Sequence, residues 1–228
     1  RFALLMVLLC GGLAQASNTL DRDPALRISL ASLVVKVEVV STTGRLGLGS
    51  GVVVADAKVI TNCHVTRNAA SIRVGRGDAR YDVVQTLSNM PRDLCLLDVP
   101  KLRLPAAPLA ADNTLQPGQP LLAVGYTAGV GPGFSAGDVM ALHALEGARV
   151  IQSSNSFNSG ASGGGLFNAQ GELVGVLTFR LRGGVAHSAQ AAHYYAAPVA
   201  WVQELLQAPG ERYGAVAAVP GLAYWERP

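Results

Sequence analysis

The sequence predicts an all-β protein of the barrel or sandwich type. From residue 33 onward, short runs of β-branched residues alternate with turn residues, and helical periodicity is almost absent. Half of the 228 residues are hydrophobic and only 14% are charged. A chain of this length and composition can bury a substantial core, either as one domain of ordinary size or as two small ones.

The first 16 residues, RFALLMVLLCGGLAQA, predict a secretory signal peptide. One arginine precedes an apolar run that ends in the small-x-small pattern AQA. The run is too short to span a bilayer and two glycines interrupt it, which argues against a membrane anchor. We therefore expect cleavage before Ser17, a lead-in over residues 17–32, and a periplasmic or secreted protein that does not bind membranes after signal removal.

The predicted strands begin with LVVKVEVV at residues 33–40, and VVVADAKVIT then predicts a hairpin that turns around residues 56–58. Further strands are predicted from similar runs at residues 71–74, 81–87, 93–99, 120–126, 148–153, 165–180 and 193–198. Strands this closely spaced are typical of all-β architectures.

Two other segments divide the chain. The proline-containing stretch between residues 100 and 120 predicts a connection, so we place one half at 33–104, the connection at 105–119 and the second half at 120–197. PVAWVQELLQ predicts a helix over 198–208, with Pro198 in the first turn and Gly210 beyond the end. The tail, residues 209–228, is too short for another domain.

Composition excludes several classes of ligand. The net charge is only +3 and no run of basic residues occurs, so we expect no nucleic-acid partner. GYTAGVGPGFSAG lacks the Lys-Ser/Thr pair of a phosphate loop. His143, His187 and His193 have a spacing that matches no metal-ligand motif. We therefore expect no metal and no cofactor.

The stretch FNSGASGGGLF, residues 157–167, places Ser162 among glycines. A serine hydroxyl becomes a good nucleophile only beside a base that a third, anionic group orients. His64 follows a predicted strand in VITNCHV, and MPRDLCLLDV offers Asp93 at one end of a strand and Asp98 near the other. We favour Asp93 because active-site residues commonly lie at strand ends. Taken singly, such residues are more often a structural histidine and solvated or capping aspartates.

Together, TNCHV, RDLCLLDV and GASGGGLFNAQGELVGV resemble, in this order, the His, Asp and Ser blocks of the chymotrypsin-like serine proteases. The pattern is most similar to bacterial trypsin-like and Deg/Htr-type peptidases, and it extends from about residue 35 to 206. The resemblance implies two packed six-stranded antiparallel β-barrels with a short C-terminal helix, in a protease domain at residues 33–208. We expect no PDZ domain to fit in the tail.

The resemblance also implies the roles of individual residues. Ser162 would be the nucleophile, His64 the general base and then general acid, and Asp93 the residue that fixes the imidazole tautomer. The backbone N–H groups of Gly160 and Ser162 would form the oxyanion hole, where small residues let a substrate carbonyl approach. We expect an exported, monomeric serine endopeptidase that cleaves polypeptide substrates through an acyl-enzyme.

Two departures from the family pattern surround the serine. Ala161 replaces the aspartate that pancreatic-type enzymes pair with a newly cleaved amino terminus, so we expect signal removal to suffice for activation. Gly165 stands where the family usually has proline, which makes the turn looser but removes no catalytic group.

Specificity also follows from the resemblance. Ser156 would lie at the base of the primary specificity pocket, and Thr178, Phe179 and Arg180 match the strand that lines it. Because position 156 carries no carboxylate, we expect small or medium apolar residues before the cleaved bond rather than Lys or Arg. Arg180 replaces a common glycine, and its side chain either narrows the pocket, attracts acidic substrates or points into solvent.

Cys63 adjoins the proposed base, and Cys95 follows the proposed acid by two residues. If His64 and Asp93 touch, these sulfurs must be neighbours, so we expect a disulfide in an exported protein; two unrelated buried thiols are the alternative.

The sequence also permits functions other than proteolysis. GASGG also satisfies the nucleophile elbow of α/β-hydrolases, but a hairpin-like sequence follows the serine where that fold needs a helix. A catalytically silent trypsin-fold binding protein and, with less support, a serine esterase remain as alternatives.

Overall fold

The computed structural model describes residues 20, 22–111, 114–127, 129–182, 192–207, 214, 216 and 221–226. They form two antiparallel β-sheets with short helices at the edges, which confirms the predicted fold class. The signal-peptide prediction and Gly210 fall outside these residues. Across the described ranges, no helix has both the length and the apolar character needed to cross a membrane.

The first sheet contains seven strands from the N-terminal half of the chain. They are β1 (Val34–Ser41), β2 (Leu46–Ala55), β3 (Lys58–Thr61), β4 (Ala69–Arg76), β5 (Ala79–Asp82), β6 (Gln85–Asn89) and β7 (Leu94–Asp98), in the order β5-β4-β1-β2-β3-β7-β6. Where the resemblance implied a six-stranded barrel, this half is a half-barrel of seven strands. At the outer edge of β6, Thr86 exchanges two backbone hydrogen bonds, of 3.0 and 3.1 Å, with Gly214 of the tail.

The second sheet is a closed six-stranded barrel, as predicted. Its strands are β8 (Pro120–Thr127), β9 (Gly131–Leu145), β10 (Ala148–Ser153), β11 (Gly165–Phe167), β12 (Leu173–Arg182) and β13 (Ala192–Pro198), in the order β10-β13-β12-β11-β8-β9. The sequence analysis missed β9, because its glycine-rich first half lacks the β-branched runs that marked the other strands.

The helices are α1 (Pro24–Leu33), α2 (Cys63–Thr66) and α3 (Val199–Leu206), with a 3₁₀ turn at Met90–Arg92. The helix α3 was predicted, whereas most of α1 falls in the predicted lead-in, for which no helix was predicted. Its start was readable from the sequence: Asp23 Oδ1 accepts hydrogen bonds from the N–H groups of Ala25 and Leu26, and Pro24 occupies the first turn.

A shared core fixes the two sheets against each other. One cluster of buried side chains takes members from both: Ile60 from β3, Leu122 from β8, Phe167 from β11 and Trp201 from α3, each no more than 1% exposed. Because close-packed interiors deform little, the cleft between the sheets has a defined geometry. The connection after β7 adds backbone contacts, since Ala107 N–H donates to Val53 O.

Candidate active site

His64 and Asp93 meet at the cleft side of the first sheet. His64 lies in α2, directly after β3, and Asp93 immediately precedes β7, which pairs with β3. The two side chains are joined by a 2.6 Å hydrogen bond between His64 Nδ1 and Asp93 Oδ2. Asp93 Oδ1 accepts the backbone N–H of His64 at 2.8 Å. The carboxylate thus holds both the ring and the backbone of the histidine.

Asp93 is fully buried, yet its carboxylate has three hydrogen-bond donors. Its backbone has φ +55°, a left-handed conformation that ends the Met90–Arg92 turn and aims the side chain inward. Asn62 Nδ2 donates to the Asp93 carbonyl at 3.0 Å and so holds the backbone as well. An ionised carboxylate can only accept hydrogen bonds, so this arrangement suits an imidazole that carries its proton on Nδ1.

The predicted disulfide is present. Cys63 and Cys95 are bonded, with their Cα atoms 5.0 Å apart, and both are fully buried. Cys63 N–H also donates to the Asp93 carbonyl at 3.2 Å. The bond therefore links the segment carrying His64 to the segment carrying Asp93, and the alternative of two free thiols is wrong.

Ser162 lies in the loop between β10 and β11 of the barrel. The preceding residues form a turn closed by a 3.0 Å hydrogen bond from Ala161 N–H to Asn158 O. Gly160 occupies the third position of this turn with φ +96°, as a type II turn requires. In a type I turn, the peptide plane between Ser159 and Gly160 would be flipped. Within the described residues, neither the Gly160 nor the Ser162 N–H donates to a protein acceptor.

Ser50 in β2 holds this loop against the first sheet. Its hydroxyl donates to Gly160 O at 2.7 Å and accepts the Tyr126 N–H at 2.7 Å, while its own N–H donates to Ser162 O at 2.8 Å. This function of Ser50 was not predicted from the sequence. The glycines on either side of Ser50 were the sequence signal for this close contact. A Cβ at Gly49 would lie 2.4 Å from Val65 Cγ1 and 3.3 Å from Ser162 O.

The hydroxyl of Ser162 donates to the Thr178 carbonyl at 3.3 Å. In the described residues no hydrogen bond joins Ser162 to His64. The segments that carry the two side chains nevertheless converge, because Val65, beside His64, and the Ser162 carbonyl both border Gly49. The structure therefore places the Ser162 loop beside the helix that carries His64, with the His–Asp pair joined and the serine bonded to β12.

The predicted specificity residues lie on two segments: Ser156 precedes Ser162 in the same loop, and Thr178, Phe179 and Arg180 lie on β12. Phe157 and Tyr194 contact each other with ring centroids 4.9 Å apart. Arg180 Nη1 lies 3.4 Å from Asn158 Oδ1, so this side chain reaches across to the loop rather than pointing freely into solvent. Ser156 lies beside Ser135, with 3.5 Å between the hydroxyl oxygens, in a cavity that Phe157, Asn158 and Ala161 also line.

The histidines outside this cleft form a separate group. His143 and His193 both hydrogen-bond the side chain of Gln152, at 2.9 and 2.8 Å. His187 lies outside the described residues. Among the described part of the chain, no set of three or more His, Cys, Asp or Glu side chains is arranged to hold a metal ion.

A segment that the sequence analysis left without a function completes the site. Residues 221–226 reach the cleft, where Trp225 Nε1 donates to Asp93 Oδ2 at 2.9 Å. The Trp225 ring meets His64 edge-on, with centroids 5.5 Å apart, and stacks on Phe179 at 5.3 Å. No local pattern could have revealed these contacts, because Trp225 and Asp93 are 132 residues apart in the chain.

Residues 49–176, more than half of the chain, match the family described as the trypsin-like peptidase domain. The chain belongs to this family. The match contains His64, Asp93 and Ser162, and ends inside β12, before α3 and the 221–226 segment.

Curated relatives of this trypsin-like chain include periplasmic proteases. The periplasmic serine endoprotease DegP of Salmonella typhimurium is 38% identical over 144 residues, covering 58% of this chain and 30% of that protein. The periplasmic pH-dependent serine endoprotease DegQ of Escherichia coli is 37% identical over 141 residues, covering 58% and 31%. The chain thus spans about three tenths of the length of these relatives. The Deg/Htr resemblance is confirmed.

Solved structures agree with this assignment. The HtrA-type protease AlgW, determined with a tripeptide, matches with a TM-score of 0.69 and 27% identity, over 80% of this chain and 62% of that one. The Rv3671c protease of M. tuberculosis in its active form matches with a TM-score of 0.71 over 89% of this chain and 92% of that one. At 22% identity, the second similarity supports the fold alone.

Proposed function

We propose that the protein is a serine endopeptidase that hydrolyses polypeptides through an acyl-enzyme on Ser162. The observation that carries this proposal is the 2.6 Å bond from His64 Nδ1 to the buried Asp93, because it fixes the tautomer that a general base needs. The curated relatives are serine endoproteases, and the AlgW structure contains a tripeptide, which supports polypeptide substrates.

In this mechanism His64 Nε2 removes the proton from Ser162 Oγ as the oxygen attacks the substrate carbonyl carbon. The negative charge that develops on the carbonyl oxygen is stabilised by the N–H groups of Gly160 and Ser162. His64 then passes its proton to the leaving amine and an acyl-enzyme remains. A water molecule, deprotonated by His64, attacks the ester and releases the second product.

The bond from Ser162 to Thr178 gives substrate binding a direct part in this mechanism. The Thr178 carbonyl lies on β12, beside the proposed specificity residues, where it can accept a backbone N–H of an extended peptide. A peptide N–H that takes this acceptor displaces the Ser162 hydroxyl. Rotation about the Ser162 Cα–Cβ bond then carries Oγ toward His64 Nε2, and apo sites commonly tighten in this way.

Contacts between the Ser162 loop and the strands β12 and β13 favour small side chains before the cleaved bond. Phe157 contacts Tyr194 and Asn158 contacts Arg180, and none of these residues is a carboxylate that could pair with Lys or Arg. We expect peptides with Ala or Val before the cleaved bond to be preferred to those with Phe or Lys.

Replacement of Tyr194 tests this preference. Tyr194→Ala removes one side of the ring pair, and we expect kcat/KM for a Phe peptide relative to its Ala counterpart to rise about tenfold or more. A matched peptide panel measures the ratio in both proteins. An unchanged ratio would place the specificity pocket elsewhere.

We further propose that the protein acts outside the cytoplasm. The relatives named above are periplasmic, the Cys63–Cys95 disulfide suits an oxidising compartment, and the sequence predicts a signal peptide. Detection of Ser17 as the mature amino terminus in a periplasmic fraction would test this assignment.

A fluorophosphonate probe tests the catalytic proposal. We expect the probe to label wild-type protein on Ser162, and mass spectrometry of the peptide that contains this residue to locate the adduct. Ser162→Ala removes the nucleophile and His64→Ala removes the base, so both variants should lose the label. Folded protein that takes no label would favour a silent binding protein instead, and a labelled protein that cleaves esters but no peptide would favour the esterase.

A further inference from the structure

The 221–226 segment lies outside the part of the chain that matches the trypsin-like family, yet it is built into the catalytic cleft. Tyr224 N–H donates to Pro91 O at 2.9 Å, next to the segment that carries Asp93. Ala223 is fully buried, and the Tyr224 ring packs edge-on against Trp201 of α3, with centroids 5.6 Å apart. The segment is therefore docked along the strand end that presents Asp93.

A second attachment fixes the segment to the His64 side of the cleft. Arg67, which immediately follows α2, makes two hydrogen bonds to the Glu226 carboxylate, at 3.0 and 2.6 Å. These bonds hold the pKa of the Glu226 carboxyl below its ordinary value, and the pairing raises the pKa of the Arg67 guanidinium. Both groups are therefore charged at neutral pH, and a bidentate pair of this kind fixes direction as well as distance.

Trp225 stands between these two attachments, with its indole N–H directed at Asp93 Oδ2. The same oxygen accepts the hydrogen bond from His64 Nδ1. The hydrogen bond from the Trp225 indole restricts rotation of the Asp93 carboxylate, and so keeps it in the plane in which it can accept from the imidazole. The indole ring also occupies the space between His64 and Phe179, so it limits rotation of the imidazole out of the cleft.

We propose that Trp225 is a positioning residue of the active site, which orients the Asp93 carboxylate and confines the His64 ring from a segment outside the family domain. This inference rests on the proposed function for the chemistry that it assists. It does not make Trp225 a catalytic residue, because the indole acts through Asp93 and His64 rather than on the substrate.

The Trp225→Phe variant separates the indole N–H from the ring contacts. Phenylalanine keeps much of the aromatic surface but cannot donate to Asp93, so we expect kcat to fall about tenfold, the order expected for a lost hydrogen bond to a charged group. KM should remain unchanged, since the substrate is not touched. Leu222→Ala, an exposed position in the same segment, is the matched control and should keep the wild-type kcat.

The Arg67–Glu226 attachment provides a second test of this proposal. Glu226→Gln weakens the attachment and should lower kcat in the wild-type background. In the Trp225→Phe background the same change should have little further effect, because the contact that the attachment positions is already gone. If the two substitutions lower kcat independently, so that their fold losses multiply in the double variant, then Glu226 acts by another route. That result would contradict the proposed arrangement.

A spectroscopic measurement tests the contact without reference to activity. The chain has two tryptophans, so an amide correlation spectrum of Ser162→Ala protein should show two indole N–H signals, and loss of one in Trp225→Phe assigns it. In the described residues the Trp201 indole N–H has no hydrogen-bond partner. Asp93→Asn should therefore move the Trp225 signal and leave the Trp201 signal in place.

The results separate the two proposals. A wild-type protein that takes no fluorophosphonate would reject the proposed function, while the indole signals would still report whether Trp225 meets Asp93. An indole signal unaffected by Asp93→Asn would overturn the positioning assignment, as would a Trp225→Phe enzyme with wild-type kcat. A Trp225→Phe enzyme that is faster than wild type would overturn it in another way, by showing that the segment obstructs the cleft.

Discussion

Asp93→Asn is expected to lower kcat/KM for peptide hydrolysis by about 10⁴-fold while leaving the protein folded. The substitution keeps the size of the side chain, and the oxygen of the new amide can still accept the His64 backbone N–H. At the other oxygen position, however, the amide NH₂ would face His64 Nδ1 and the Trp225 indole. Two donors cannot bond to each other, so the imidazole must present a lone pair at Nδ1 and its proton at Nε2. A proton at Nε2 removes the base that Ser162 needs.

Asp98→Asn is the matched control, because it makes the same chemical change at the other end of β7. Asp98 forms an ion pair of 3.1 Å with Lys58, and both side chains are partly exposed. Such pairs contribute about 1 kcal/mol or less to stability, so activity should stay within about twofold of wild type. Initial rates on one peptide substrate, with circular dichroism to verify folding, compare the two variants. Asp93→Asn activity within tenfold of wild type would show that Asp93 does not fix the tautomer.

Gly163→Ala is expected to reduce the free energy of unfolding by about 3–5 kcal/mol and to abolish fluorophosphonate labelling. Gly163 has φ +86°, which costs a residue with a Cβ about 1–2 kcal/mol. The added Cβ would lie 2.1 Å from Ser50 O and 2.3 Å from Thr61 Oγ1. Ser50 O belongs to the backbone of β2 and cannot turn aside, so the loop must shift. The shift would disturb the 2.8 Å bond from Gly163 N–H to Leu177 O and the position of Ser162.

Gly118→Ala separates the cost of the left-handed backbone conformation from the cost of steric overlap between the added Cβ and its neighbours. Gly118 has φ +85°, and nothing lies within 4 Å of the position that its Cβ would take. We expect this variant to lose only about 1–2 kcal/mol, the cost of the left-handed conformation, and to retain labelling. Urea unfolding of both variants gives the comparison. Equal losses would mean that the Ser162 loop accommodates a Cβ and that Ser50 does not restrain it tightly.

The fold shows where sequence patterns were sufficient. The Asp56–Lys58 hairpin and β13 follow from runs of β-branched or aromatic residues between turn residues, because those side chains suit a pleated, half-buried surface. The strand β9 begins with residues of low strand propensity, and it exists because β8 and β10 both pair with it. The helix α1 was missed although Asp23 and Pro24 marked its start.

The candidate site likewise combines features that the sequence predicted with features that only the tertiary structure decided. The sequence by itself determined the chemical groups and their order, since a serine among glycines, a histidine after a strand and an aspartate before one are local patterns. The tertiary structure alone decided how these groups are held: the hydroxyl of Ser50 supports the Ser162 loop, and the indole of Trp225 reaches Asp93. The physical reason is the separation along the chain of the residues that interact. Turn and strand propensities depend on neighbours in the chain, whereas these hydrogen bonds join residues more than 100 positions apart, and only the packing of the two sheets and the tail brings them within reach.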